Sequence, residues 1–138
     1  MPVILEWLAT GKSVRFAPRG VSMLPMLRQG IDSVVISPLP EKLKKYDLPL
    51  YQRSNGQYVL HRIVKVGDTY TCIGDNQFVL EKGLTHEQMI GVVTRFYRGK
   101  KMITVDNMRY RAYCRYWHYT RKIRKLWRRC IGWLWRLF

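Results

Sequence analysis

Short apolar runs that alternate with polar residues, each soon closed by Gly, Pro, Asn or Asp, fill residues 12–105 and restrict this chain to β-hairpins. Ser13-Val14-Arg15-Phe16 is a short strand ahead of Pro18, and Ser33 to Ile36 is another, closed by Ser37-Pro38. Leu50 to Arg53 and Gln57 to Val66 flank Ser54-Asn55-Gly56. Asn-Gly is a strong hairpin signal, because both turn positions need positive φ. Gly67-Asp68 turns the chain into Thr69 to Ile73, and Gly91 to Tyr97 with Lys101 to Val105 forms a last hairpin about Arg98-Gly99-Lys100. Only Val3 to Ala9 and the C-terminal tail read as helical. The expected fold is mainly β, a compact body of several hairpins with a short N-terminal helix and a C-terminal amphipathic helical tail.

Charge divides the chain. Lys and Arg number 25 against 9 Asp and Glu, a formal net charge of +16. Residues 109–138 hold ten of the basic residues, no acid, and nine of the 18 aromatics, whereas residues 1–108 carry a net +6. The break near Asp106-Asn107 predicts a β domain over 1–108 and a basic, aromatic tail over 109–138. At 138 residues and 47% hydrophobic content the chain can form a core, which excludes a disordered basic tail protein. Cys72, Cys114 and Cys130 are too few, and odd in number, for a disulfide scaffold, and with no signal peptide or spanning helix expected the default compartment is the cytoplasm, where thiols stay reduced. The longest stretch without a charged side chain is eight residues, as in Gly20 to Leu27, against about 20 apolar residues for a spanning helix. Met1 to Thr10 lacks a basic n-region and contains Glu6, so no signal peptide is expected.

The segment Gly20-Val21-Ser22-Met23-Leu24-Pro25-Met26-Leu27 surrounds a serine with backbone punctuation. Gly20 permits close approach of the chain to a neighbour, and Pro25 stops a strand and removes a donor. A serine in such a turn can present its hydroxyl beside free backbone N–H groups, as an acyl-transfer nucleophile requires. A plain surface-turn serine is the commoner reading of these residues alone. Of the three histidines, His61 lies in the strand Gln57 to Val66, where a structural role is the usual one. The hairpin about Gly67-Asp68 nevertheless brings position 61 opposite Gly74 or Asp75, depending on turn length, so Gly74-Asp75-Asn76 ends its strand beside His61. An Asp there can orient an imidazole and stabilise its protonated form. His86 sits in a polar helical or loop segment, and His118 lies among aromatics of the tail. Cys and His show no metal-ligand spacing and Gly-rich phosphate loops are absent, so no metal and no cofactor is expected.

Gly20-Val21-Ser22-Met23-Leu24-Pro25 resembles the G-x-S-M-x-P box of type I signal peptidases and their SOS-repressor relatives. Asp32 to Ile36 resembles the acidic-then-strand segment that follows it, Tyr46 to Tyr51 the G-D-x-V-x-F strand, Leu60-His61-Arg62-Ile63 the H-R-V segment, Gly74-Asp75-Asn76 the G-D-N segment, and Ile90 to Val93 the closing I-G-x-V strand. The resemblance covers residues 12–97, and ordered motifs are more specific together than singly. It implies a β-rich serine endopeptidase with Ser22 as nucleophile. His61 would be the base, as in the histidine branch of the family, with Asp75 as the supporting acid. The Ser22 backbone N–H would be the oxyanion donor, and Gly20, Val21, Met23 and Pro25 would contact substrate. An extended peptide would pair along the edge from Arg15-Phe16 to Gly20. Departures from the family pattern are the extra Ile31 before Asp32, Tyr46 where Gly is frequent, and the lack of an N-terminal membrane anchor. The second acidic position of the histidine branch falls near Leu80-Glu81, and the site is assigned without Glu81.

On a wheel of about 100° per residue, Tyr113, Tyr116, Trp117, Thr120, Trp127, Ile131, Leu134, Trp135 and Phe138 fall on one side of the tail. Arg111, Arg115, Lys122, Lys125, Arg129 and Arg136 fall on the other; Arg124 interrupts the apolar side, and Leu126 and Trp133 stray onto the basic one. This pattern predicts a helix on an anionic membrane surface, contacting it through Trp117, Arg121, Lys122, Lys125, Trp127, Arg128, Arg129, Trp133 and Trp135. Packing on the body or on a partner, and binding of nucleic acid through phosphate contacts and stacking, are the rival readings. For the whole chain the leading expectation is a membrane-associated peptidase cleaving leader- or signal-like peptides. The alternatives are a non-catalytic peptide-binding module on the same fold and a self-cleaving regulator of the SOS-repressor kind.

Overall fold

The computed structural model describes residues 2–136; Phe138, placed on the apolar side of the tail from sequence, lies outside them. The element order is α1 (Pro2–Ala9), β1 (Val14–Phe16), β2 (Ser33–Pro38), β3 (Pro49–Gln52), β4 (Tyr58–Leu60), β5 (Arg62–Val66), β6 (Tyr70–Ile73), β7 (Glu81–Leu84), a 3-10 turn (His86–Gln88), β8 (Met89–Arg98), β9 (Lys101–Thr104), α2 (Met108–Tyr119) and α3 (Arg121–Arg136). The fold is mainly β, with two antiparallel sheets and helices at both ends. The larger sheet runs β1-β2-β8-β3-β4 with β9 paired to β8, and the smaller runs β5-β6-β7.

Alternation along the strands separates two cores, because successive side chains leave a strand on opposite faces. Leu50 and Val93 enter a cluster with Val34, Ile36, Leu60 and Phe96, while their neighbours Tyr51 and Val92 enter a second with Val59, Ile63, Tyr70 and Cys72. The central strands β3 and β8 are thus covered on both faces.

Three sequence expectations change. The strand expected over 57–66 is two strands, because the chain leaves the larger sheet after Leu60 and enters the smaller at Arg62, with His61 at the crossing. Strand β7 was not expected, since Glu81-Lys82-Gly83-Leu84 shows no apolar alternation; it pairs β6, with Cys72 opposite Glu81. The boundary at 108/109 marks a helix start and not an edge of the core. The Asn107 side chain caps α2 by accepting from the Tyr110 N–H, and Tyr110 and Cys114 are buried with Phe96 and Met26 in the first core.

Tyr46, which stands where the resembling family often has Gly, has φ +77°. A side chain in this left-handed region costs roughly 1–2 kcal/mol. Here its N–H bonds the Ile63 carbonyl and its own carbonyl accepts from Arg62, which holds the conformation in place.

Among the described residues no helix is long and apolar enough to cross a membrane.

Candidate active site

The serine segment is a turn between β1 and β2, braced at both ends. At its start Gly20 adopts φ +88°, in the region that favours glycine. Nothing lies within 4 Å of where its Cβ would be, so its role is backbone conformation and not the close approach expected from sequence. At its end Arg28 pairs with buried Asp32 through side chain and backbone, and Asp32 also accepts from the Gly99 N–H in the β8–β9 turn. Burial works against the Asp32 charge, but these hydrogen bonds outweigh it and hold the carboxyl at about 2. From the side, the Asn76 N–H donates to the Ser22 carbonyl at 2.8 Å and Asn76 Nδ2 to the Val21 carbonyl at 3.1 Å. Gly74 makes this approach possible: a Cβ there would lie 2.6 Å from the Ser22 carbonyl oxygen. The G-D-N segment is therefore the support on which the serine turn rests.

Ser22 and His61 open onto one cleft of about 580 Å³. It is lined by Phe16 to Gly20 on one side and Gln57 to His61 on the other, so both edge strands of the larger sheet, β1 and β4, border it. Ser22 is half-buried. Among the described residues its backbone N–H meets no acceptor and its hydroxyl makes no hydrogen bond, including none to His61.

His61 is 5% exposed. Its Nδ1 lies 3.3 Å from the Tyr51 hydroxyl, and that hydroxyl donates to Glu81 Oε1 at 2.8 Å. Tyr51 has one proton, and an ionised carboxylate can only accept, so the Tyr51 oxygen accepts from Nδ1–H. The neutral ring is thereby fixed as the Nδ1–H tautomer, and its Nε2 has no hydrogen-bond partner among the described residues. Glu81 stays ionised: burial opposes its charge, but hydrogen bonds from Arg53 and Tyr51 hold its carboxyl below the usual range. Burial first, and then the Arg53 charge, push the His61 imidazole down to about 4 against the pull of Glu81 and Asp75. The ring is neutral at pH 7 and competent to accept a proton.

This depression carries a stability consequence. The unfolded chain protonates His61 near pH 6.5, the folded chain only near 4. Between those values the unfolded state binds more protons, so stability falls with falling pH, by about 3 kcal/mol across the window. Urea unfolding between pH 7 and 4 is expected to show this slope, and His61→Gln to remove that part of it.

Asp75 makes no hydrogen bond to His61, the contact expected of a supporting acid, although its charge still acts on the ring. It is fully buried and both carboxylate oxygens are occupied: Arg62 Nε and Nη2 donate at 2.9 and 3.0 Å, and the Tyr113 hydroxyl at 2.6 Å. The hairpin register explains this. Arg62 pairs with Ile73 and Ile63 with Cys72, and a bulge before Lys65 sets the pairing so that the strand ends with Asp75 turned to the Arg62 side, away from the cleft. Arg62, itself fully buried, also donates to the Tyr46 carbonyl, Tyr110, Cys114 and Met26. It ties the serine turn, the G-D-N segment and α2 together. Sequence reasoning named Glu81 but left it out; the signal for it was its distance after G-D-N, not its surroundings.

Of the expected substrate contacts, Gly20 and Met23 line the cleft, but Val21 and Pro25 do not. Val21 is exposed beyond the turn, and Pro25 faces the β8–β9 hairpin, its carbonyl accepting from Arg98. Of the tail residues, Trp117 belongs to the body: its indole N–H donates to the Asp75 carbonyl. Arg121 is half-buried against His118, and Arg128 donates to Asn76. Lys122, Lys125, Trp127, Arg129, Trp133 and Trp135 are exposed.

Comparison of the chain with protein-family models, with curated proteins and with solved structures finds no match.

Proposed function

We propose that this chain is a serine endopeptidase of the signal-peptidase type, cutting leader- or signal-like peptides at a membrane surface, with Ser22 as nucleophile and His61 as general base. The observation that carries the reading is the hydrogen-bonded line Glu81–Tyr51–His61, which leaves a neutral imidazole whose Nε2 has no hydrogen-bond partner among the described residues, on a side chain that lines the same cleft as Ser22. An extended peptide would add between the two free strand edges, main chain to main chain. Ser22 Oγ attacks the scissile carbonyl carbon while His61 Nε2 takes its proton, and the Ser22 N–H donates to the oxyanion. The imidazolium then protonates the departing amine, leaving an acyl-enzyme that a water, deprotonated by His61, hydrolyses. The serine and histidine approach each other when substrate fills the cleft, since catalytic hydrogen bonds are often long in unliganded sites. In this mechanism Glu81, acting through Tyr51, takes the place of Asp75.

The missing Ser22–His61 bond also favours a second reading, a peptide-binding module without turnover. Incubation with leader-type peptides and a fluorophosphonate, read by mass spectrometry, separates the two. Cleaved peptide and an adduct on Ser22 are expected; intact peptide that binds without any adduct would leave only the binding module. Gly74→Ala is expected to slow the labelling by roughly tenfold or more while the chain stays folded, because a shift of about 1 Å in a catalytic group costs up to two orders of magnitude. An unchanged labelling rate would show that the G-D-N support does not position Ser22.

A further inference from the structure

The face of α3 turned to the body is basic, and the face turned away from it is apolar, the reverse of an ordinary surface helix. On the body side the Arg124 guanidinium lies 3.6 Å from the centre of the Trp117 ring and Arg128 lies 5.2 Å from that of Phe78. On the far side Ile123, Leu126, Trp127 and Leu134 are 48–68% exposed. Leu126, a stray when the tail is drawn as one helix, belongs to this stripe, and Trp133 stands beside the recess. The break at Thr120, whose hydroxyl bonds the Tyr116 carbonyl, divides the tail into a packed helix and an unpartnered one. Between α3 and the loop after G-D-N, Lys125, Arg128, Arg129 and Arg136 line a recess of about 690 Å³ with Phe78 and Trp133.

We infer that α3 seats on an anionic phospholipid bilayer, its apolar stripe entering the acyl boundary while the four-cation recess takes a phosphate headgroup. This names the partner behind the membrane-surface reading and rests on that part of it, not on catalysis. Charge complementarity selects the occupant. A second copy of α3 would set seven cations and no acid against the same set, and like charges repel. A nucleic acid would satisfy the cations but leave Ile123, Leu126 and Leu134 in water. A bilayer satisfies both, with tryptophan at headgroup depth.

The test is flotation of the full chain with phosphatidylcholine vesicles, with and without phosphatidylglycerol, following tryptophan emission. Binding and a blue shift are expected only with phosphatidylglycerol. Leu126→Glu with Trp127→Glu is expected to abolish binding, and Lys125→Glu with Arg129→Glu to weaken it roughly tenfold or more; all four residues are exposed, and circular dichroism checks that the variants fold. Inorganic phosphate at millimolar concentration is expected not to displace the protein; full displacement would assign the recess to free phosphate and overturn the lipid source. Equal binding to neutral vesicles, retained binding by the Leu126/Trp127 variant, or binding to single-stranded RNA with no flotation would each overturn the inference. Peptide cleavage is followed on the same samples. A chain that floats without cutting upholds the inference and removes the peptidase reading; one that cuts without floating does the reverse.

Discussion

Ser22→Ala is expected to reduce peptide cleavage by on the order of 10^4-fold or more while leaving the melting temperature unchanged. The size follows from removing the only atom that forms the covalent intermediate; in a unit of nucleophile and base, losing either member costs nearly as much as losing both. Stability is spared because the Ser22 hydroxyl makes no hydrogen bond among the described residues, whereas the turn around it is held by backbone contacts from Asn76. His61→Ala is expected to match Ser22→Ala in activity, and the double variant to add little. Tyr51→Phe and Glu81→Gln should be graded, costing less than Ser22→Ala, because they remove what orients Nδ1–H and leave the base itself. Cleavage at wild-type rates by Ser22→Ala and His61→Ala would refute the assignment. So would a Glu81→Gln variant of full activity alongside a folded Asp75 variant of none, since that would return the acid role to Asp75.

Asp75→Ala is expected to act on folding instead. It strips from Arg62 the carboxylate that pairs with it, and Arg62 is a fully buried guanidinium that also donates to four other groups. Breaking a buried ion pair by removing one partner costs roughly 3–5 kcal/mol, because the other charge is left uncompensated. In a chain of this size that lowers the melting temperature by roughly 10–20 °C. The Tyr113 hydroxyl and both Arg62 donors lose their acceptor together. In a double-mutant cycle, removing Arg62 and Asp75 together should cost less than the sum of the single changes. A stable Asp75→Ala chain with abolished cleavage would show that the carboxylate serves the chemistry.

Much of the architecture could be read from local pattern. The hairpins at Asn55-Gly56 and Arg98-Gly99-Lys100 formed where turn residues and alternation demanded them. Two of the places where the reading changed are places where the pattern is silent. Gln57 to Val66 contains no Gly, Pro, Asn or Asp, so nothing local announces that the chain changes sheets at His61. Glu81 to Leu84 carries a glycine and two charges, and it becomes a strand only because β6 offers it a free edge.

The division extends to the site. Ser22 and His61 are distinguished by their neighbours along the chain, and a turn serine follows from φ restrictions, a local property, whereas His61 stands at a strand end only because the chain changes sheets there. The acid is different. Asp75 and Glu81 are both carboxylates a short way past the same hairpin, and which of them serves His61 depends on the direction in which each side chain leaves its strand. A bulge of one residue in β5 aims Asp75 at Arg62, and the pairing of β7 with β6 brings Glu81 to Tyr51. The tail obeys the same distinction: its charge and aromatic content are plain in the residues, but the burial of α2 and the outward apolar stripe of α3 follow from the break at Thr120 and from what the body offers each helix to pack against. Composition and spacing act over a few residues; register and packing act across the fold, and these set Glu81 against Tyr51 and Asp75 against Arg62, which no local rule distinguishes.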